Sequence, residues 1–288
     1  MDGMCVDNTP LEHYPEHGLW VKREDLCCPG GPNFSKTRGV YAHVASRPER
    51  VIGVLDTGHS QGGWAVARAC ALLGKECRLF YPEYKEQRPL PVQQREAVKL
   101  GARLHPLQAG RSAVLYHAAK RKLVSIVGVR PQDTYMMPNA LKLPEMVRET
   151  AAEVCRTLDN LPDLGVEGLL LGGGSVLVSA SSGTIAAGVV RGFCQTGHTN
   201  VRFVVHQGYS RPVVAMRDYM MKMGGYSMGS ADVMFVDEGY AYKDRARPEG
   251  GWSPPPFPCN EFYDLKLWRW WQRAGRVQFG SALMWNIG

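Results

Sequence analysis

Three short segments of this chain hold residues whose types and order suit chemistry on an amine or an acid. The first runs Gly30-Gly31-Pro32-Asn33-Phe34-Ser35-Lys36-Thr37-Arg38-Gly39, behind a strand-like Val21-Lys22-Arg23-Glu24-Asp25-Leu26. Its glycine turn sets Lys36 at the start of a helix, where the partial positive charge of the helix end disfavours the ammonium form. A neutral lysine amine is a nucleophile toward an aldehyde. Taken alone, a lysine in that position is more often an exposed residue of a first helical turn. The second segment is Asp56-Thr57-Gly58-His59-Ser60-Gln61-Gly62-Gly63, directly after the strand Val51–Leu55. Such a strand–loop–helix junction turns backbone N–H groups and small hydroxyls toward the carboxyl end of a sheet, where they can grip a carboxylate or a cofactor oxygen. The third is Ser179-Ala180-Ser181-Ser182-Gly183-Thr184-Ile185-Ala186-Ala187-Gly188. Small residues ahead of a helix make a nest of N–H donors and hydroxyls suited to a phosphate. By itself such a turn reads equally as close helix–strand packing.

Several other chemistries fit poorly. The third segment lacks the Gly-Lys-Ser/Thr ending of a nucleotide P-loop and does not open the chain as a dinucleotide fingerprint would. His59-Ser60-Gln61-Gly62-Gly63 is not a hydrolase elbow, because the residues flanking Ser60 do not match Gly-x-Ser-x-Gly. The eight cysteines (5, 27, 28, 70, 77, 155, 194 and 259) contain no Cys-x-x-Cys pair and no histidine at ligand spacing, so no metal is expected. Thirty-four basic and 27 acidic residues give a net charge of +7. That balance could attract phosphate-bearing ligands, anionic substrates or nucleic acid, or simply mark a mildly basic surface. The first ten residues hold no apolar block and no apolar run approaches membrane-spanning length, so the chain reads as cytoplasmic with no membrane partner.

The elements that must position these segments alternate strand and helix. Strands are expected at 51–55, 77–81 (stopped by Pro82), 103–107, 201–206, 233–236 and 282–285, with interrupted strand material at 169–179. Helices are expected at 64–73, 91–100, 112–123, 143–158, 183–193, 211–223 and 262–273, and loop at 247–258, where three prolines follow one another. Repeated β–α units argue for parallel sheets with right-handed crossovers, an α/β fold.

In combination, VKREDL…GGPNFSKTRG, TGHSQGG after a strand and SSGTIAAG after a later strand resemble the fold type II pyridoxal-phosphate enzymes, the tryptophan synthase β-like superfamily. The resemblance is nearest to the branch of aminocyclopropane-carboxylate deaminase and D-cysteine desulfhydrase, where a KRED segment precedes a GGNKxR lysine. It covers most of the chain. It implies two domains, each with a mostly parallel twisted sheet flanked by helices and with pyridoxal 5′-phosphate in the cleft between them. Residues 1–41 and 141–288 would make the large domain and 42–140 the small inserted one. Lys36 would carry the cofactor as a Schiff base. Gln61 stands where the family usually has an asparagine beside the pyridine ring. Thr57, Gly58, His59 and Ser60 would grip the substrate carboxylate, with Ser60 also a proton carrier. Ser181, Ser182, Gly183 and Thr184 match the phosphate cup, with serines in place of glycines. Glu238, in Val236-Asp237-Glu238-Gly239-Tyr240, is the candidate to face the pyridine nitrogen, and Tyr240 a candidate proton donor. At 288 residues the chain is shorter than most relatives, and Gly172-Gly173-Gly174 has no clear counterpart.

The implied activity is that of a lyase or deaminase acting at the α-carbon of an amino acid or related amine. A second reading keeps the cofactor and moves the reaction to an amino-acid group attached to a nucleobase, as in viral DNA hypermodification. Trp268, Trp270, Trp271 and the basic residues 243–247 would then meet nucleic acid, although tryptophans at helical spacing are more often core. A third reading is a degenerate ligand-binding homologue. Relatives of this kind are commonly homodimers.

Overall fold

A computed structural model describes residues 4–57, 59–83, 89–108, 110–161, 164–227, 229–246 and 253–288. The chain opens with a hairpin of β1 (Leu11–Tyr14) and β2 (Leu19–Arg23). Helix α1 (Thr37–Ser46) leads into β3 (Val51–Leu55), α2 (Gly62–Leu72), β4 (Glu76–Glu83), α3 (Val92–Lys99), β5 (Arg103–Gln108), α4 (Ser112–Val124) and β6 (Thr134–Met136). There follow α5 (Pro144–Asp159), α6 (Leu164–Leu171), β7 (Ser175–Ala180), α7 (Thr184–Gln195), β8 (Arg202–Gln207), α8 (Val213–Gly224) and β9 (Asp232–Val236). The last elements are α9 (Asp264–Trp270), a wide π-type turn at Trp271–Gly275, α10 (Arg276–Phe279) and β10 (Ala282–Asn286). No described helix is long and apolar enough to cross a membrane.

The chain divides into two compact units, one of residues up to Cys5 with Cys28–Glu145, the other of Val6–Cys27 with Met146–Gly288. Residues 28–41, expected with the larger domain, cluster instead with the smaller unit, because α1 packs against α2. Lys36 therefore belongs to the smaller unit.

That unit holds a four-stranded parallel sheet in the order β5-β4-β3-β6. Val51, Phe80, Leu107 and Met136 of its strands bury against Leu115, Ala119 and Leu123 of α4. β4 runs on through Pro82 to Glu83 rather than stopping there. Past Phe80 only β5 pairs with it, so the missing N–H of Pro82 leaves no ladder position empty toward β3.

The larger unit holds a six-stranded sheet, β1-β2-β10-β7-β8-β9, parallel except for the β1–β2 hairpin. Its strands are covered on both faces, and the pleat sorts their residues. Leu283 and Trp285 of β10 join Val176, Val178, Phe203 and Val205 under α7. Ala282 and Met284 join Leu177 and Val204 under Leu267, Trp268 and Trp271. Trp268 and Trp271 are fully buried and donate their indole N–H groups to Ser253 O and His17 O, both at 2.9 Å. The tryptophans are core, and a nucleic-acid face built on them is ruled out. Residues 169–171, expected as strand, close α6. An unpatterned apolar run does not distinguish a buried strand from a helix. The glycines end that helix: Gly172 and Gly174 donate to the carbonyls of Gly168 (2.9 Å) and Leu169 (2.8 Å), and Gly173 takes φ 79°.

The KRED run at the end of β2 is a buried ionic lattice. Lys22 Nζ lies 2.9 Å from Glu153 Oε1 with both side chains fully buried, and Glu153 also accepts from the Thr9 N–H at 2.8 Å. Arg23 grips Asp25 through Nε (2.9 Å) and Nη2 (2.8 Å), Glu24 accepts from the Thr9 hydroxyl (2.7 Å), and Asp25 accepts from Asn286 Nδ2 (3.0 Å). Removing one member of a buried pair strands the other charge in the interior. Lys22→Met is expected to lower stability by roughly 3–5 kcal/mol, read as a fall in the denaturation midpoint. A midpoint equal to wild type would show the pair to be dispensable.

Candidate active site

In the smaller unit, Lys36 occupies the position that opens α1, with φ −62° and ψ −15°. It is half-buried, its Nζ 3.4 Å from Ala140 O and 5.7 Å from the centre of the Phe34 ring. Loss of hydration, and then the positive charge of Lys142, lowers its pKa to about 8. Ala140 and Leu141 both stand in the left-handed region, at φ 57° and 50°. Such backbone costs on the order of 1–2 kcal/mol per non-glycine residue. Leu141 packs onto α2 where Gly62 leaves room: a Cβ there would lie 2.9 Å from Leu141 Cδ1.

The β3–α2 loop is tied to the lysine loop by one hydrogen bond, from Gln61 Nε2 to Asn33 O at 2.9 Å. One N–H of the Gln61 amide is therefore used within the protein, and the group keeps a second donor. Ser60 Oγ accepts from the Gly62 N–H at 3.1 Å, and Thr57, His59 and Ser60 are all half-buried. Gly58 lies outside the described residues. Asp56 is buried and accepts from Gln94 Nε2 at 2.7 Å. Gly63 permits its approach, since a Cβ there would meet the carboxylate at 3.1 Å. The neighbouring Cys27 and Cys28 are buried, and the bond with Cys5 pushes the Cys28 thiol far up, away from reactivity.

In the larger unit, the turn after β7 sets small hydroxyl residues ahead of α7. Gly183 takes φ 84° ahead of α7, and a side chain there would strike Met216 Sδ at 2.6 Å. The Ser182 hydroxyl is 3.0 Å from that of Thr184, which is 2.8 Å from Tyr219 Oη, a row of hydroxyls beside the first-turn amides of α7. Arg211 Nη1 donates to Ser181 O at 3.0 Å.

Glu238, the expected partner of the pyridine nitrogen, stands beside a histidine and an arginine. Its carboxylate accepts from His206 Nε2 at 2.9 Å and is paired with Arg273. His206 is fully buried. Desolvation, with the charges of Lys266 and Arg273, drives its pKa to about 3, so it stays neutral and donates its Nε2–H to Glu238. Both oxygens of Glu238 are thereby engaged. The Tyr240 ring covers Lys266 Nζ at 4.4 Å, and the same buried amine donates to Gly208 O. Burial lowers Lys266 to about 8, offset in part by Asp244.

Sequence reasoning passed over Asp264, at the first turn of α9. It is fully buried, and desolvation raises its carboxyl to about 7. Its Oδ1 accepts from the Ile287 N–H at 3.3 Å, and hydrogen bonds from the Ser179 hydroxyl and the Gly288 N–H work against the desolvation. An acid at a helix start has an ordinary reading as a partner of the helix end. The overlooked signal was three charges, Asp264, Lys266 and Arg269, set inside the aromatic run from Phe262 to Trp271. Among the described residues no group of three His, Cys, Asp or Glu could hold a metal ion.

The family model described as "Pyridoxal-phosphate dependent enzyme" matches residues 4–227. A curated relative, the glycyl-dTMP PLP-dependent decarboxylase of Pseudomonas phage M6, is 46% identical over 295 residues, spanning 99% of this chain and 100% of that one. Among solved structures, an ACC deaminase homologue aligns with TM-score 0.73 at 16% identity, covering 100% of this chain and 92% of its own. The diaminopropionate ammonia lyase of Escherichia coli aligns with TM-score 0.64 at 13% identity, covering 98% and 82%. At those identities the structures speak for the fold, whereas the family match spans well over half the sequence: the chain belongs to the pyridoxal-phosphate-dependent enzyme family.

Proposed function

We propose that this enzyme is a decarboxylase that removes the carboxyl group of a glycyl unit attached to dTMP. The observation that carries this is the 46% identity, end to end, with the phage M6 decarboxylase. The residues present also fit the cofactor. The smaller unit supplies an amine with a pKa of about 8, and the larger supplies a hydroxyl-lined helix start and a buried acid. In this reading Lys36 holds the cofactor, and the turn Ser181-Ser182-Gly183-Thr184 holds its phosphate. The buried carboxylate of Asp264, rather than that of Glu238 with its His206 and Arg273 partners, is assigned to the ring nitrogen. Bound pyridoxal phosphate supplies the sink for the electron pair left on the α-carbon when carbon dioxide departs.

The chain's own groups do the rest. Near neutral pH a lysine of pKa about 8 exists in both protonation states, so Lys36 can act as a nucleophile and later carry a proton. Decarboxylation consumes one proton at the α-carbon, and Lys36 Nζ is assigned as its donor. Asp264 keeps a negative charge near the ring nitrogen and so favours its protonated form. The substrate must keep both its amine and its carboxylate free, which requires the glycyl unit to be joined to the base through carbon.

The test is to incubate the holoenzyme with glycyl-dTMP and follow loss of carbon dioxide by mass spectrometry. Release of ammonia from free amino acids, with glycyl-dTMP left intact, would overturn the reading in favour of a deaminase.

A further inference from the structure

Next to the proposed phosphate cup, the larger unit displays an aromatic pair that its core does not use. Tyr209 and Tyr242 meet edge to face with ring centres 5.1 Å apart and planes at 88°. Tyr209 is half-buried and Tyr242 is 43% exposed. Backbone and side-chain contacts fix where the pair stands. Gly208, just before Tyr209, donates its N–H to Ala180 O at 2.8 Å, at the end of β7. Ser210, just after, donates to Tyr240 O at 2.7 Å, which joins the two tyrosine-bearing segments. Arg211 reaches Ser181 O at 3.0 Å. Tyr263 has its hydroxyl on Ser181 and lies within electrostatic reach of both Tyr209 and Tyr242. The pair therefore borders the cup, on the edge of the unit where the strand ends collect. Lys243 and Arg245 follow Tyr242 and are exposed, Arg245 pairing with Glu261 at 3.2 Å.

We propose that Tyr242, braced by Tyr209, is the stacking surface for the pyrimidine of the substrate, with Arg211 and Lys243 serving its phosphate. This rests on the nucleotide reading above and extends it to a recognition element. A free amino acid offers nothing for such a surface to hold. A nucleobase offers a flat π-face and a neighbouring anion, the combination that exposed tyrosines and basic residues bind. The same chemistry is present in a free nucleotide and in a thymidine within a DNA strand.

Binding of dTMP and of single-stranded (dT)8 to the holoenzyme tests this. Tyr242→Ala is expected to weaken dTMP binding about tenfold, as for a lost base–aromatic stack, while Tyr242→Phe keeps wild-type affinity. Deoxyribose 5-phosphate should bind wild type and Tyr242→Ala alike. Tighter binding of (dT)8 with steep salt dependence identifies the strand as the natural form, and equal binding identifies the nucleotide. A wild type that binds neither probe, or an alanine variant that binds both as wild type does, overturns the proposal. Turnover separates the two claims. Decarboxylation with a KM unmoved by Tyr242→Ala sinks only the stacking surface, whereas Tyr242-dependent dTMP binding without decarboxylation sinks only the reaction.

Discussion

Lys36→Ala abolishes the visible absorption of the purified enzyme and lowers turnover by at least about a thousandfold, the scale of losing a nucleophile and a proton carrier together. Loss of hydration and the charge of Lys142 bring the Lys36 amine to about 8, where a nucleophilic fraction exists near neutral pH. The variant should fold, since alanine suits the start of α1 and the side chain it removes is only half-buried. Cofactor uptake supplies the pH test. Only the neutral amine attacks an aldehyde, so the rate at which stripped wild-type protein takes up pyridoxal phosphate rises with pH and levels off above about 8. A Lys36→Ala protein that still shows the band, or an uptake rate flat from pH 6 to 9, would remove Lys36 from its role.

Asp264→Asn gives the second large effect, with opposite signs in the loaded and stripped enzyme. In the loaded enzyme the loss of the carboxylate shifts the visible band and slows turnover roughly a hundredfold, the usual scale for one preorganised charge. Glu238→Gln, as the comparison, leaves the band in place, because that carboxylate serves His206 and Arg273. In the stripped enzyme the acid is a burden. Its folded pKa of about 7 lies above the ordinary 3.8, so its favourable contribution is complete below pH 4 and disappears as pH climbs through 7. Three pKa units correspond to a penalty on the order of 4 kcal/mol above neutrality. Stripped Asp264→Asn should therefore melt above stripped wild type at pH 8, with the gap closing toward pH 5. If the two melt alike at both values, the buried carboxyl is not strained.

Much of this could be read from local residues. The 51–55 strand, the small-residue helix behind it, and the serine turn before α7 depend on neighbours in the chain, and they stand where expected. Lys36 likewise opens a helix. What stayed hidden depends on distant partners. The Val236–Tyr240 stretch advertises Glu238 as a lone acid after a strand. Its commitment to His206 and Arg273, each more than thirty residues away, exists only once β8, β9 and the turn after α9 are assembled. The raised pKa of Asp264 comes from burial, which no local pattern discloses. The KRED run carries four charges that look chemical, yet Lys22 pairs with Glu153 of α5, Arg23 with Glu12 of β1, Asp25 accepts from Asn286 of β10 and Glu24 from the Thr9 hydroxyl.

The strand that completes the larger unit is β10, in register with Leu19–Arg23 on one side and Ser175–Val178 on the other. Both of its neighbours leave the ribosome well before it does. Until residues 282–286 emerge, β2 and β7 each present an unpaired edge, and Trp268 and Trp271 lack the methionine and alanine they pack against. The smaller unit, drawn mostly from one continuous stretch, can mature during synthesis. Its partner must wait, because closure across so many intervening residues is slow. The nascent enzyme thus passes through a stage with one finished half and one open sheet, and that interval is when a chaperone would matter most to it.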